Sequence, residues 1–222
     1  MGDGSGAQGF VGTGLACRRG ERLVFSGLDF RLGPSEALVL RGPNGSGKSS
    51  LLRVMAGLIR PTAGQLDWDG EAVADDREAH AGRLHFIGHL DAVKPALTVG
   101  ENLHFWASLR NTTGDAATIG AALGDVGLAA LADAPARYLS AGQRRRLALA
   151  RLTASPASLW LLDEPSVGLD DQSLAAFESM LAGHRASGGM VALATHTAIA
   201  LPGARELRLD EFTRGLVMDE VA

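Results

Sequence analysis

A glycine-rich turn in the first quarter of the chain ends in a lysine and two hydroxyls. Its residues are Gly42, Pro43, Asn44, Gly45, Ser46, Gly47, Lys48, Ser49 and Ser50. Glycines let successive backbone N–H groups point inward at an anion, in φ/ψ regions that a Cβ would resist. The lysine adds positive charge, and the Ser49 hydroxyl can ligate Mg²⁺. A strand-like apolar run precedes the turn and a helical pattern follows it, so the segment predicts a site for nucleotide phosphates.

Two carboxylates follow directly after a second apolar run, Ser158 to Leu162. Because open α/β sheets bind their ligands at the carboxyl ends of strands, Asp163 is expected at the site, where it can hold Mg²⁺ directly or through water. Glu164, one residue on, can act as a general base on the attacking water. A strand that ends in acidic residues is often only a solvated turn. The phosphate loop upstream is what favours the chemical interpretation.

The elements that must position these residues show two periodicities. Alternating or compact apolar residues predict strands at 23–32, 37–40, 66–68, 158–162 and 190–195. Apolar residues three or four apart predict helices at 49–57, 99–109, 118–126, 142–152 and 172–185. Strands that flank helices indicate an α/β sheet with an inserted helical block. The glycine-rich residues 1–10 are expected to form a flexible tail.

A short motif ahead of the acidic strand is Leu139-Ser140-Ala141-Gly142-Gln143. It resembles the signature of the ATP-binding subunits of ABC transporters, with Ala141 in place of the first glycine. Phosphate loop, signature and acidic strand also follow one another in the order found in that family. The resemblance implies a P-loop ABC ATPase core of α/β class, with an antiparallel β region and an inserted α-helical subdomain at about 90–155. It implies a single ATPase domain over 11–222.

The resemblance also assigns roles within one protomer. Lys48, Glu164 and His196 are the implied catalytic residues, since the family's switch histidine closes a strand as His196 does here. Ser49 and Asp163 are the implied metal ligands. The implied cofactors are therefore ATP and Mg²⁺.

The signature residues are expected to act on the nucleotide of a second copy of the chain. Ser140, Gly142 and the start of the following helix can bind a γ-phosphate across a dimer interface, with Ala141 and Gln143 beside them. An N-cap serine before an arginine-bearing helix would also account for Ser140 without any ligand. The arginines at 144–146 are interpreted as a solvated, phosphate-facing side of that helix.

Two loops are expected to couple the nucleotide to movement. Asp170 ends a segment that resembles the family's loop between two active sites. His89 stands where most members have a glutamine, which makes it a candidate for coupling and for a further contact to the metal. The position that usually stacks on adenine reads Arg18-Arg19-Gly20, without an aromatic residue. An arginine plane can stack on the base instead.

The stretch from Gly88 to Phe105 resembles one branch of the family. That branch is the ATP-binding subunit of the cytochrome c maturation, or haem exporter, complex of bacterial inner membranes. Leu15 to Arg18 and Gly42 to Gly45 match it too, whereas its usual Gly-His-Gln becomes Gly88-His89-Leu90 here. The resemblance implies that ATP hydrolysis releases a haem-loaded chaperone. The implied partners are transmembrane cytochrome c maturation proteins on separate chains.

Composition excludes several classes of function. The chain has 222 residues, a net charge of −4 and one cysteine, Cys17. This balance gives no reason to expect nucleic acid as a partner, and a lone cysteine suits a reducing cytoplasm. No apolar run reaches the length of a membrane span, and the first residues do not read as an export signal. We therefore expect a peripheral protein on the cytoplasmic face of the bacterial inner membrane, held there by its partners.

Three alternatives remain open at the level of sequence. The first is an ABC ATPase for another cargo, which would carry the same phosphate loop, signature and acidic strand. Only the Gly88–Phe105 stretch argues against it. A non-transport ABC protein of DNA repair or translation would need a coiled-coil insertion, zinc cysteines or a second ATPase half, which the sequence lacks. A small-molecule P-loop kinase shares the phosphate loop but not the signature at 139–143.

Overall fold

The structure is a computed structural model, and it describes residues 9–110 and 114–213. Over these residues the strands are β1 (Phe10–Arg19), β2 (Arg22–Leu32), β3 (Ala37–Arg41), β4 (Ala63–Trp68), β5 (Glu71–Ala72), β6 (Leu84–Ile87), β7 (Leu159–Asp163), β8 (Met190–Ala194) and β9 (Arg205–Arg208). The α-helices are α1 (Lys48–Met55), α2 (Arg77–Gly82), α3 (Val99–Ser108), α4 (Ala116–Asp125), α5 (Ala141–Ala154) and α6 (Asp171–Ala186). Short 3₁₀ turns occupy 129–131, 136–138 and 209–212.

The first sheet is antiparallel, with strand order β2-β1-β4-β5. It confirms the expected antiparallel region but corrects the boundary of the tail. Phe10 was assigned to the tail, yet it begins β1 and is fully buried. Its ring stacks on Trp68 with centroids 4.9 Å apart, because β1 pairs with β4 at these two positions. Gly9, also assigned to the tail, is buried as well, and residues 1–8 lie outside the described residues.

The second sheet is parallel, with strand order β6-β7-β8-β3-β9. Alternate residues of its central strands, such as Leu40 and Leu161, enter a core shared with α1 and the antiparallel sheet. The residues between them, such as Val39 and Leu162, enter a second core with helices α3 to α6. Burial on both faces explains why these strands are compact apolar runs rather than alternating ones.

Four helices of the second core begin at a polar side chain that accepts a backbone hydrogen bond. These N-cap residues are Thr98, Asp115, Ser140 and Asp170. Such caps satisfy N–H groups that have no partner within the helix. Helices α3, α4 and α5 lie in the stretch assigned to a helical subdomain, about 90–155. Its division from the rest of the domain stays a prediction.

Strand β6, which the sequence did not predict, carries a buried histidine. The Nε2 of His85 lies 2.9 Å from the carbonyl oxygen of Ser155. A carbonyl oxygen can only accept, so Nε2 carries the proton of the neutral ring. Loss of hydration on burial lowers the pKa of His85 to about 3, and the charges of Arg110 and Arg151 act in the same direction.

We expect acid to destabilise the fold through His85. Its pKa is depressed from 6.5 to about 3 in the folded state, so the stability it contributes is complete above pH 6.5 and is lost as the pH falls toward 3. Between pH 7 and 5 this residue alone accounts for about 2 kcal/mol of unfolding free energy. His85→Gln keeps a donor for Ser155 but does not titrate, so urea unfolding of this variant should lose less stability over that range.

The matched control is His104→Gln, since His104 is exposed on α3. Burial also lowers the pKa of His80 and His184, so part of the acid sensitivity should remain in every variant. Equal pH dependence in the wild type and in His85→Gln would contradict the prediction.

Candidate active site

The phosphate loop predicted from the sequence connects β3 to α1. Gly42, Gly45 and Gly47 have φ values of 138°, 81° and 101°, a region that favours glycine. A Cβ on Gly47 would lie 2.6 Å from Cγ1 of Val24, and one on Gly42 would lie 2.7 Å from Oγ of Ser46. The loop therefore requires glycine at two of these positions for space as well as for backbone conformation.

Lys48 begins α1 and turns its ammonium group back over the loop. Its Nζ donates to the carbonyl oxygens of Gly42 at 2.7 Å and Pro43 at 3.0 Å. Burial lowers the pKa of Lys48, while the charges of Glu164 and Asp163 oppose that shift. A cation at the start of a helix, where backbone N–H groups have no partner within the helix, can neutralise phosphate charge.

The loop also presents hydroxyl groups to a ligand. The Oγ of Ser49 donates to Oδ1 of Asp163 at 3.0 Å. Asp163 is the last residue of β7 and is only 3% exposed. A hydroxyl and a carboxylate oxygen are hard ligands that suit Mg²⁺. Ser46 has a buried Oγ without a hydrogen-bond partner among the described residues, which is unusual for a buried polar atom and fits a group that contacts a ligand.

Glu164 follows Asp163 in a left-handed backbone conformation, with φ of 49°. Such a conformation costs a non-glycine residue about 1–3 kcal/mol and is found mainly where function needs it. The Glu164 N–H donates to the carbonyl oxygen of Ala194 at 2.8 Å. One carboxylate oxygen accepts from the backbone N–H of His196 at 3.3 Å, and the other lies 3.5 Å from its Nε2. The structure thus brings the predicted base and the predicted switch histidine together.

These side chains line one cavity of about 400 Å³. Its walls are formed by Arg19, Arg22, Val24, Asn44, Gly45, Gly47, Lys48, Ser49, Ser50, Asp163, Glu164 and His196. Of the predicted adenine segment, Arg19 reaches the cavity, whereas Arg18 donates to the carbonyl oxygen of Glu21. Arg22 and Val24 were missed by the sequence reasoning. They reach the cavity because β2 folds back on β1, which pairs Arg22 with Arg19.

The signature residues are not among those that line this cavity. Ser140 and Gln143 form a capping box: the Ser140 Oγ accepts from the Gln143 N–H at 3.2 Å, and the Gln143 Oε1 accepts from the Ser140 N–H at 2.8 Å. A Cβ on Gly142 would lie 2.9 Å from the carbonyl oxygen of Gly168, so α5 packs closely on the loop before α6. The structure supports the capping role, and the action of Ser140 to Gln143 on a second copy stays a prediction.

Asp170, the acid predicted to link two active sites, has a local role in the structure. Its carboxylate accepts from the N–H of Ser173 at 2.8 Å and begins α6. Hydrogen bonds to Ser173 hold the pKa of Asp170 below its usual value. Coupling through Asp170 stays a prediction.

His89 lines a different cavity from the phosphate loop. It is exposed and lines a second cavity of about 890 Å³. Ser49 and Asp163 line the smaller cavity instead. The contact from His89 to a metal held by Ser49 and Asp163 therefore stays a prediction, because the loop after β6 places the histidine at the other cavity. Its role in coupling stays a prediction.

The arginines of α5 differ from the expected solvated helix side. Arg144 donates to the carbonyl oxygen of Leu139 at the start of the helix, and Arg146 donates to that of Val126. Arg145 is 5% exposed. Its guanidinium enters the interior, where four backbone carbonyl oxygens and one carboxylate oxygen, Oδ1 of Asp91, accept from its N–H groups in place of water.

Comparison with known proteins agrees with this geometry. A family model described as ABC transporter matches residues 25–167. A cytochrome c biogenesis ATP-binding export protein, CcmA, from Paramagnetospirillum magneticum is 58% identical over 91% of this chain and 94% of the relative. The protein of the same name from Pseudomonas putida strain KT2440 is 48% identical over 90% of this chain and 96% of the relative.

Solved structures show the same fold. An ABC transporter ATP-binding protein from Pyrococcus furiosus superposes with a TM-score of 0.81 at 21% identity, covering 91% of this chain and 98% of that chain. An ATP-binding subunit of an ABC transporter gives a TM-score of 0.79 at 20% identity, covering 97% of this chain and 96% of that one. The chain therefore belongs to the ABC transporter ATPases, in the branch of the cytochrome c biogenesis ATP-binding export proteins. This excludes the kinase alternative.

We expect Glu164→Gln to bind ATP but to lose turnover by about 10²–10⁴-fold, the usual cost of losing a general base. The amide can still accept from the N–H of His196, so the strained turn should be retained. Steady-state ATPase assays and nucleotide-binding titrations separate the two effects. Light scattering should show a dimer that persists in the presence of ATP.

The matched control is Glu206→Gln, since Glu206 is an exposed carboxylate on β9. Its ATPase rate should equal that of the wild type. Near-normal turnover in Glu164→Gln would remove Glu164 from the role of base.

Proposed function

We propose that the chain hydrolyses ATP at a site shared with a second copy of itself and so drives a haem-exporting membrane complex in cytochrome c biogenesis. The observation that carries the ATPase part is the set of Lys48, Ser49, Asp163, Glu164 and His196 around one cavity. Two relatives that are 58% and 57% identical to this chain are named as cytochrome c biogenesis ATP-binding export proteins. We further propose that haem is the cargo and that ATP hydrolysis releases a haem-loaded chaperone. This part of the proposal rests on the resemblance of the Gly88–Phe105 stretch to the haem exporter branch.

Hydrolysis follows from the positions of the side chains. The loop N–H groups and Lys48 hold the phosphates. The carboxylate of Glu164 accepts a proton as the water oxygen bonds to the γ-phosphorus and the bond to the β-phosphate oxygen breaks. The N–H of His196 keeps that carboxylate in orientation. Ser49 and Asp163 would hold Mg²⁺, which when bound neutralises charge on the phosphates.

A second copy is proposed to contribute its signature. Ser140 and Ala141 are exposed at the start of α5. The backbone N–H groups of a helix start favour a negatively charged ligand. This arrangement supports a γ-phosphate contact from the opposite protomer.

Partners on other chains are proposed to hold the protein at the cytoplasmic face of the inner membrane. Across 9–110 and 114–213, no helix is both long and apolar enough to cross a bilayer. The larger cavity, which we call the groove, offers a surface for such a partner. Leu58, Leu90 and Leu109 line it and are 63%, 83% and 61% exposed.

Charge in the groove favours an acidic partner. Arg53, Arg110 and Arg151 line it, against a single acidic lining residue, Glu78. Arg151 is 8% exposed, and its guanidinium lies 3.6 Å from the ring centroid of Trp106. Burial lowers the pKa of Arg151 to about 10, and its Nε has no hydrogen-bond partner among the described residues. We therefore assign the groove to a segment of a membrane subunit that carries apolar and carboxylate side chains.

The cellular test is the loss of covalent c-type cytochromes. Lys48→Ala should abolish them, because ATP binding requires the lysine that closes the phosphate loop. Haem synthesis and b-type cytochromes should remain. Haem-stained gels of membranes measure the first, and difference spectra measure the second. Normal c-type cytochromes in this strain would contradict the haem assignment and leave an ABC ATPase for another cargo.

The partner test uses the groove. Leu90→Asp places a charge at its most exposed leucine, so we expect co-purifying membrane proteins to fall at least about 10-fold, in line with the loss of a hot-spot contact. ATP binding by the variant should be unchanged. Ala121→Asp, on the exposed side of α4, is the control and should keep its partners. Undiminished co-purification with Leu90→Asp would exclude the groove as the docking surface.

A further inference from the structure

Arg145 makes an unusual set of contacts for a residue three positions beyond the signature's glycine. Its guanidinium forms five hydrogen bonds to groups on two other segments of the chain. The acceptors are the carbonyl oxygens of Asp163 (3.0 Å), Glu164 (2.7 Å), Pro165 (3.1 Å) and Gly88 (3.0 Å), and Oδ1 of Asp91 (3.1 Å).

Part of this set fixes the turn that carries the base. Nη2 bridges the carbonyl oxygens of Asp163 and Glu164, and Nε holds that of Pro165. The carbonyl groups before and after Glu164 are therefore fixed by the same guanidinium group. Since Glu164 has a φ of 49°, an outside restraint of this kind can maintain a conformation that the residue would otherwise leave.

The other part ties down the loop that enters the groove. Nη1 donates to Gly88 and forms an ion pair with Asp91. The Arg145 and Asp91 side chains are 6% and 26% exposed, so solvent screens this pair little. His89 and Leu90 lie between the two anchored residues and line the groove. One guanidinium thus joins a surface loop to the backbone of the proposed base.

We propose that Arg145 is a positioning residue for ATP hydrolysis, which holds Glu164 in its strained conformation and links it to the loop at 88–91. This rests on the proposed role of Glu164 as the base. Lysine cannot replace Arg145, because an ammonium group has three donors and lacks the planar fork that reaches both segments.

The test compares Arg145→Lys with Arg185→Lys in the full-length chain, purified with the membrane proteins that accompany it. A misplaced catalytic group costs up to about 10²-fold, so Arg145→Lys should lower kcat by about 10-fold or more. The KM for ATP should stay within about 3-fold, because Lys48 and the phosphate loop are untouched. Arg185→Lys on α6 changes a guanidinium that also donates to backbone carbonyl oxygens, those of Ser35 and Pro202, but does not line the cavity, so it should keep the wild-type kcat.

A second variant separates the contacts of Arg145 to the loop at 88–91 from its contacts to the turn that carries Glu164. Asp91→Asn removes the ion pair but leaves the contacts of Arg145 to Asp163, Glu164 and Pro165. We expect a smaller loss of kcat than in Arg145→Lys, again without a matching change in KM. If Arg145→Lys fails to fold, Asp91→Asn still tests the link, since Asp91 is partly exposed.

A merely structural role predicts a different pattern. In that case ATP affinity, kcat and melting temperature would fall together, and millimolar guanidinium would not restore the turnover of Arg145→Ala. Selective recovery of kcat by guanidinium, but not by methylammonium, supports positioning. Wild-type kcat in a folded Arg145→Lys variant overturns the proposal. If that variant is active while Glu164→Gln is inactive, only the inference on Arg145 fails; if Glu164→Gln is active, the proposed base fails as well.

Discussion

The active site depends on the pairing of β8 with β7 on one side and β3 on the other. All residues of β8 are buried, and the strand sets the register of both neighbours, with Leu193 opposite Leu162 and Ala194 opposite Leu40. Because the strands run in the same direction, the phosphate loop and the two carboxylates leave the sheet at one edge. The carbonyl oxygen of Ala194 then binds the N–H of Glu164 directly. The hydrophobic core thereby determines the spacing between the phosphate loop and Glu164, the proposed base.

Strands buried on both faces were predictable, whereas several other elements were not. Compact apolar runs indicated β3, β7 and β8, since such runs occur in buried parallel strands. β1 was missed because its pairing has irregular register between Gly12 and Cys17, so its apolar residues do not alternate. β6 was missed because it has only four residues and one of them, His85, is polar. A histidine can be buried in a strand when its ring N–H donates to a backbone carbonyl group. Such a hydrogen bond cannot be recognised from the composition of the segment.

Motif residues of the site were predictable because their chemistry depends on short spacings. A glycine-rich loop after one strand was enough to predict Lys48 and Ser49. An acidic residue at the end of another strand was enough to predict Asp163. Glu164 was found in the same way, but its left-handed backbone was not, since glutamate rarely adopts it. The burial of Arg145 could not be inferred, because its acceptors lie between 18 and 57 residues away along the chain. In a sequence, an arginine on the solvated side of a helix cannot be distinguished from one with a buried guanidinium group. The difference becomes visible only when the carbonyl groups that accept its hydrogen bonds are located in the structure.

Helix α5 connects three regions of the molecule: the signature, the turn that carries Glu164, and the groove. Its first residues are the signature, Arg145 in its first half binds the turn that carries Glu164, and Arg151 near its end lies beneath the groove. Arg151 lies six positions after Arg145 on the helix, a rise of about 9 Å. A helix is stiff over this length, so we expect a displacement at the groove to move Arg145 and the signature with it. The guanidinium groups of Arg145 and Arg151 are both buried and packed against other parts of the protein. This packing favours rigid movement of the helix over local rearrangement of the two side chains. On the proposed function, this one element is sufficient to connect the groove, the proposed base and the proposed signature contact to a second nucleotide.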